Sequence, residues 1–597
     1  MRYGPYAAAA RLDERLGDPQ DDGRLFSYAR CAALDEGEEF PLEICRELDF
    51  LGLPRAYVPV EYGGTLLGYD EALQLMRVVA RRDLTVAIGH GKTFLGAVSV
   101  WTSGDAEQAR RLGAEIAGGT IVSWGLTERD HGSDLLAGEV RAVPGPDGSG
   151  YRLSGEKWLI NNATRGHQLC VLARTDTSGG PRGFSILLVD RRTLDPASHR
   201  PLPAVALHGI RGADISGVAF TDAAVPATAL VGTEGGGLEI VLKSLQLTRT
   251  LCASLSLGAA DQALGLAVDY ANERHNFGRP LVDLPQTRRL LTESYADLLL
   301  AEAVTLVAGR AINALTGELS VSSAITKYFV PTLVDRMFPR LAKVLGSRAL
   351  LVGDTYRHGR FQKVQRDHRI VGIFDGSTMV NLHSLVNQFP ALVRGYRRGR
   401  VDLAGLQAAA TLEEPLGAFD RTRLELVSRP GSSPVQALPL AVEELCELAE
   451  AGEVGTVVGT LATELRAATD RLIEQMAGHR PTALDVPAEV FALAESYAAC
   501  FAAAAAIQLW LRNRKAFGSD ELRHSGLQNS ELRHSELWYS GLWLEAALTR
   551  ALALVDPTLR TELSGEVFDR LAVPLFAQHA SGRLLSLLPY PGEEESA

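Results

Sequence analysis

The spacing of apolar positions changes period twice along this 597-residue chain. Before about residue 119, apolar residues recur every three to four positions, as on one face of a helix. Glu43–Leu51 is such a run and stops at Gly52, a residue suited to closing a helix. Asp70 to Arg82 is another, and Asp83 stands where a carboxylate can cap the helix that follows. Between these runs, Ala56-Tyr57-Val58-Pro59-Val60-Glu61-Tyr62-Gly63-Gly64 reads as an extended segment ending in a double-glycine turn. From Thr120 to about Val231 the pattern shortens to strands, at Tyr151–Gly155, Leu169–Ala173, Phe184–Val189 and Gly217–Phe220. Pro144-Gly145-Pro146-Asp147-Gly148 marks a loop among them. After Gly235-Gly236-Gly237 the helical period returns in long runs, Leu238 to Glu273, Thr287 to Leu315 and Val321 to Leu345. Runs of that length imply a bundle. The expected architecture is mainly α with a central β domain: 1–119 helical, 120–231 strands, 232–395 a helical bundle, and 396–597 a further helical region.

Composition narrows this picture. Hydrophobic residues make up 46% and charged residues 22%, which is ordinary for a globular chain. A net charge of −12 argues against nucleic acid and against a broad anionic-membrane face. The six cysteines are scattered without a CxxC pair, so neither zinc nor a disulfide framework is expected, and a reducing, cytoplasmic setting fits. The first residues lack a signal-peptide pattern, and no membrane span is expected, because no run of about 20 apolar residues escapes charge or glycine. The Ala-rich Phe501–Ala506 favours helix. Trp538, Leu542 and Trp543 read as core in preference to a partner surface. Glu521-Leu522-Arg523-His524-Ser525 recurs at Glu531-Leu532-Arg533-His534-Ser535, too short a repeat for a solenoid, and a tail at 592–597 is expected to be disordered.

The candidate chemistry lies in four stretches: Trp124-Gly125-Leu126-Thr127-Glu128-Arg129-Asp130-His131-Gly132-Ser133-Asp134; Lys157-Trp158-Leu159-Ile160-Asn161-Asn162; Glu273-Arg274-His275-Asn276-Phe277-Gly278; and Arg366-Asp367 followed by Ile373-Phe374-Asp375-Gly376-Ser377. Taken alone, an Asp-Gly pair is a turn and a tryptophan is core. In this order and domain context the four stretches resemble the signatures of the acyl-CoA dehydrogenase family, over about residues 25 to 395. The resemblance implies an α-helical domain, a β-barrel domain and a four-helix bundle, here with a helical extension. It implies FAD as cofactor, an acyl thioester as substrate and at least a homodimer.

Carried over position by position, the resemblance places Leu126 and Thr127 on the flavin's pyrimidine edge. Ser133 stands near the flavin or thioester mouth, Trp158 and Ile160 beside the ring, and Ser377 on the cofactor. Arg274, Phe277 and Gln286 reach the cofactor of a neighbouring subunit; Gln286 follows one residue more than the common spacing. Arg249 and Gly376 fall on the substrate side. Asp375 stands where many members carry the catalytic Glu. In the implied reaction it abstracts the α-proton while flavin N5 accepts the β-hydride.

Four departures bear on that chemistry. Ile160 replaces a Thr whose hydroxyl reaches N5, leaving only the backbone amide. The adenine-side Gln-x-x-Gly-Gly-x-Gly has become Lys343-Val344-Leu345-Gly346-Ser347-Arg348-Ala349. Thr248 occupies the family's other base position and is a poor base. Asp375 sets its acid back by one methylene, about 1.5 Å, and a misplacement near 1 Å can cost about 10²-fold in rate. Three readings stay open: a working base with an adjusted backbone, a base for a different acyl group or proton, or a site that has lost dehydrogenation. The last would be a redox-neutral flavoprotein using α-proton abstraction alone, or a flavin-binding scaffold. Arg129 and His131 replace smaller residues and are either solvated or in contact with a polar acyl group or a phosphopantetheine. His368 is expected in an ordinary structural contact. The extension is expected to pack on the core and join the dimer. An acyl-carrier protein, being acidic, would need a patch such as Arg394, Arg397, Arg398 and Arg400.

Overall fold

Helices fill both ends of the chain and strands its middle. The computed structural model describes residues 6–145, 148–176, 179–480, 485–517, 537–556, 558, 565–582 and 584–588. By contact density the chain divides into two compact units, one of Leu16–Leu67 and Arg82–Thr248, the other of Met1–Arg15, Gly68–Arg81 and Arg249–Ala597.

The first unit carries a sheet of eight strands: β1 Val122–Gly125, β2 Arg141–Pro144, β3 Gly150–Asn161, β4 Gln168–Arg174, β5 Phe184–Asp190, β6 His199–Leu202, β7 Ile215–Pro226 and β8 Leu230–Val231. Their order is β6-β7-β3-β2-β4-β5-β8, with β1 added in parallel to β4. The sheet is held from inside by Leu153, Leu169, Val171, Leu187, Val218 and Phe220, all buried. Of the loop expected at 144–148, Pro144 ends strand β2 and pairs with Tyr151, and residues 146 and 147 lie outside the described residues. Asp83 caps the helix Leu84–Ser103 as its position predicts, accepting from Val86 N–H at 2.9 Å. The segment before the double glycine is not extended. It coils into 3₁₀ turns over Leu53–Tyr57 and Val60–Tyr62. Gly63 takes φ +91°, and a Cβ on Gly64 would lie 1.9 Å from the Val58 carbonyl, so the chain folds back on itself more tightly than its β-branched residues suggest.

In the second unit the helices Ala253–Glu273, Pro285–Ala314 and Leu319–Leu345 pack on one another. Pro285–Ala314 is buried over most of its length, because Ala488–Phe517, Leu542–Val555 and Glu566–Ala580 of the extension also lie on it. A helix covered on all sides needs no polar face. That is why Gly237–Glu273 and Ala488–Phe517 are long and apolar enough to cross a membrane, although their most apolar windows are 89% and 72% buried within the protein. Phe501–Ala506 is wholly buried. Trp538 and Trp543 are core residues in T-shaped contact at 5.2 Å, and Trp538 Nε1 donates to the Leu587 carbonyl at 2.9 Å.

Buried charge ties the unit together. Arg77 donates to Asp261 at 2.8 Å and to Glu302 at 2.5 Å. The same carboxylates accept from the backbone N–H groups of Leu585 and Leu587, which seats the segment 584–588. The repeat at 521–535 and the tail at 592–597 lie outside the described residues.

Candidate functional site

Three stretches hold the predicted residues, and each is organised differently. In the strand unit, the loop after β1 is tied to β3. Thr127 Oγ1 donates to the Trp158 carbonyl at 2.7 Å, and Trp158 N–H donates to the Thr127 carbonyl at 3.0 Å. The Thr127 hydroxyl proton is therefore engaged, leaving its oxygen as an acceptor. Lys157 Nζ donates to the Leu126 carbonyl at 3.0 Å and to Glu128 at 2.7 Å. Glu128 also accepts from the N–H of Glu139 at 2.7 Å and of Val140 at 3.1 Å, which closes the loop that carries Ser133 at its exposed tip.

Burial would push the Glu128 carboxyl up, but the Lys157 ammonium and those hydrogen bonds outweigh it and hold it below the ordinary range. Burial pushes the Lys157 ammonium down in spite of Glu128. Between Trp158 and Ile160 the β3–β7 register shifts, and Leu159 takes φ +57°. This bulge turns Ile160 inward, where it is buried, and leaves Leu159 exposed. The Arg129 guanidinium stands 4.7 Å over the Trp158 ring, so one face of that ring is cationic rather than bare. Three polar groups here lack partners among the described residues: the Thr127 N–H, the buried Trp124 Nε1 and the buried Asn161 side-chain amide.

The second stretch is the Asp375 turn. The helix Arg360–His368 unwinds at Arg369, and Phe374 N–H returns to the Ile370 carbonyl at 3.1 Å. Asp375 then takes φ +56° and Gly376 φ +96°. Ser377 caps the helix Thr378–Val386, and Asn381 Nδ2 donates to the carbonyls of Gly376 and Ser377, both at 2.9 Å. Arg249 Nε donates to the Asp375 carbonyl at 3.0 Å. A Cβ on Gly376 would sit 2.8 Å from Arg249 Nη2, so the glycine is required by space as well as by φ. Arg249 is buried, and burial pushes its guanidinium down against the opposing pull of Asp375. Cys252 Sγ lies 3.5 Å from Asp375 Oδ2. Beneath the turn, Lys327 Nζ donates to the Val371 carbonyl at 2.5 Å and stands 5.2 Å over the Phe374 ring. His368 is an ordinary buried contact, between Asp335 at 2.7 Å and Ser256 at 2.8 Å. The Thr248 hydroxyl donates back to the Leu245 carbonyl at 3.4 Å and is fully buried.

The third stretch is open. His275–Asn276 and Arg279–Pro280 form a two-residue hairpin whose tip is Phe277 at φ +56° and Gly278 at φ +78°. Phe277 is 93% exposed. Arg274 ends the helix Ala253–Glu273 and is exposed, as is Gln286 in the first turn of the next helix. A bulky aromatic at positive φ, held out into solvent, is an arrangement that usually serves binding.

Two residues that matter to these arrangements, Cys252 and Lys327, lie outside the motif stretches, and the partner of Lys157 inside its stretch is not legible either. Each is a buried polar group. A buried polar group needs a partner, and the sequence does not say which one.

Family profiles match most of the first two-thirds of the chain. Those described as Acyl-CoA dehydrogenase N-terminal, middle and C-terminal domains cover residues 27–120, 123–223 and 235–388. A cyclohex-1-ene-1-carbonyl-CoA dehydrogenase of Syntrophus aciditrophicus is 26% identical over 355 residues, 59% of this chain and 83% of that protein. A glutaryl-CoA dehydrogenase of Desulfococcus multivorans is 28% identical over 326 residues, 52% of this chain and 80% of that protein. In fold, an acyl-CoA dehydrogenase of Bacillus anthracis complexed with FAD covers 96% of this chain and 95% of its own, at TM-score 0.65 and 20% identity. The helical extension thus has a counterpart in a known fold.

Proposed function

The chain belongs to the acyl-CoA dehydrogenase family, FAD-dependent oxidoreductases acting on CH–CH bonds, and on that premise we propose that Asp375 is the carboxylate that takes the α-proton of its acyl thioester. The observation that carries this reading is the turn itself. A left-handed Asp-Gly pair, pinned at its carbonyl by a buried arginine, presents one carboxylate in a fixed direction. Such backbone costs on the order of 1–3 kcal/mol and persists only where the surroundings over-determine it. Thr248 offers no second base, since its hydroxyl bonds its own helix.

The residues of the strand unit fit FAD. The Thr127 N–H has no partner among the described residues and the Thr127 hydroxyl oxygen keeps an acceptor site, a donor and an acceptor suited to the polar edge of a flavin. When bound, FAD supplies the acceptor for the β-hydride. The chain's own part is to acidify and remove a proton. The Asp375 backbone amide donates to the thioester carbonyl, where enolate charge develops, and the carboxylate receives the α-proton. Arg249 and Gly376 keep the turn in place against the substrate, and Ser133 lines the thioester entrance. Arg274, Phe277 and Gln286 serve the FAD of a second copy, which gives the exposed hairpin a purpose and makes the protein at least a homodimer. Ser377 acts at the cofactor through its place beside Gly376. Coenzyme A is the carrier in the relatives' names. An acidic acyl-carrier protein, in specialised metabolism, would meet the exposed Arg394, Arg397, Arg398 and Arg400.

The shorter acid favours one further reading. In cyclohex-1-ene-1-carbonyl-CoA the α-carbon carries no hydrogen, so a base acting on that relative's namesake must take a different proton. A carboxylate set back by one methylene suits a proton farther along the acyl group.

Anaerobic titration of the yellow holoprotein with saturated and 1-ene acyl-CoA thioesters tests both readings. Bleaching by a saturated thioester, slowed about 10³-fold in Asp375→Asn, is expected from loss of a general base. Bleaching at the wild-type rate in that variant would remove Asp375 from the chemistry, and bleaching only by a 1-ene thioester would select the second reading.

A further inference from the structure

We propose that Cys252 is the positioning residue for Asp375: its thiol holds the carboxylate in the direction from which the substrate proton is taken. The inference rests on Asp375 being the base.

Arg249 lies in the last turn of the helix Gly237–Leu251, and Cys252 keeps helical angles, φ −59° and ψ −23°. Residues three apart on a helix share a face. That face meets the Asp375 turn twice. Arg249 Nε takes the main-chain carbonyl at 3.0 Å, and Cys252 Sγ reaches the side-chain Oδ2 at 3.5 Å, a distance suited to a sulfur donor. One contact fixes where the turn is, and the other fixes where its acid points. Cys252 is only 4% exposed, so the contact is made away from bulk water.

The chemistry of the donor suits the task. An aspartate has one torsion fewer than a glutamate with which to re-aim its carboxylate, so a lateral contact at its tip decides its direction. A charged donor at that point would hold the anion strongly and blunt it as a base. A thiol is a weak donor, which orients the carboxylate and still releases it to accept a proton.

Two measurements test this. The first reads the contact without turnover. In infrared difference spectra of the holoprotein, the S–H stretch assigned by Cys252→Ala should lie below that of an unbonded thiol and move upward in Asp375→Asn. The second reads its consequence by stopped-flow anaerobic bleaching. Cys252→Ala should slow the rate constant about tenfold, since re-aiming the base acts on the reacting geometry. It should raise the isotope effect with α-deuterated thioester while leaving KM within about twofold. Cys252→Ser, which keeps a donor, should recover most of the rate. An S–H band unmoved by Asp375→Asn, or a Cys252→Ala protein with wild-type rate and isotope effect, overturns the inference. If Asp375→Asn itself bleaches normally, the base assignment has failed; if it is inactive and Cys252→Ala is normal, only the positioning role has failed.

Discussion

The loop over Leu126–Val140 and the hairpin at Arg274–Gln286 both carry residues that the family resemblance assigns to the cofactor, yet they are built in opposite ways. The loop is closed from within. A buried Lys157–Glu128 pair at 2.7 Å, two backbone N–H groups on Glu128 and a reciprocal Thr127–Trp158 pair fix it before any ligand arrives. The hairpin is held by its short strand pairing and by the Leu281 N–H on the Arg274 carbonyl at 2.7 Å, without a buried ion pair among the described residues. Its aromatic is 93% exposed and sits at a positive φ that costs energy. The difference teaches that the first surface is fixed by bonds within its own chain, whereas the second leaves its aromatic and its arginine exposed, as the proposed contact with a second copy requires.

Substitutions should separate the two. The largest effect is expected for Glu128→Gln, which leaves Lys157 buried without its counter-charge. At neutral pH it should lose about 3–5 kcal/mol of stability in urea, the range for breaking a buried pair. The pH dependence follows from the lowered carboxyl of Glu128. Below the unfolded value of about 4.3, the unfolded state binds a proton that the folded state still refuses. The contribution is therefore present above that pH and lost as pH falls through the folded value, so the wild-type and Glu128→Gln curves should converge in acid. Curves that stay parallel would mean the pair is not what holds the loop.

A smaller effect, and one of a different kind, is expected at Arg274. The Arg274→Ala apoprotein should unfold within about 0.5 kcal/mol of wild type, as exposed positions do. Its FAD affinity should fall about tenfold, through loss of a charge-assisted hydrogen bond of about 1.5 kcal/mol or more. Equal losses in apo stability and FAD affinity would make the hairpin part of the fold and erase the contrast. A change in stability of the opposite sign is expected for Phe277→Gly. Removing a bulky side chain from a left-handed position should raise apo stability by up to about 1 kcal/mol. Sedimentation should at the same time show weaker self-association. A destabilised Phe277→Gly would show that the ring packs within its own chain.

Much of the fold is legible in the order of residues. The change of period at Thr120 and again after Gly237 marks where strands begin and end, because a sheet with one buried face and a helix with one buried stripe impose different repeats. The segment that leads into Gly63-Gly64 misleads, since its Val and Tyr residues suit a strand. What overrides them is a double glycine whose close approach to Val58 exists only in the folded chain. The apolar Gly237–Glu273 and Ala488–Phe517 show the same limit from the other side: composition allows a membrane span, and the helices packed around them provide the burial instead.

The four motif stretches and their order are local patterns, so the sequence alone determined the family and its FAD chemistry. Asp375 is legible there as the one carboxylate at either base position. Its surroundings are not. That Arg249 takes its carbonyl and Cys252 its carboxylate depends on residues more than a hundred positions away meeting at distances of 3.0 and 3.5 Å. The same holds for Lys157, whose partner among the chain's carboxylates only the bulged strand β3 selects. Periodicity records which face of an element is buried. It does not record which two faces meet, and a buried charge or a weak thiol donor acquires its role only from the group it meets.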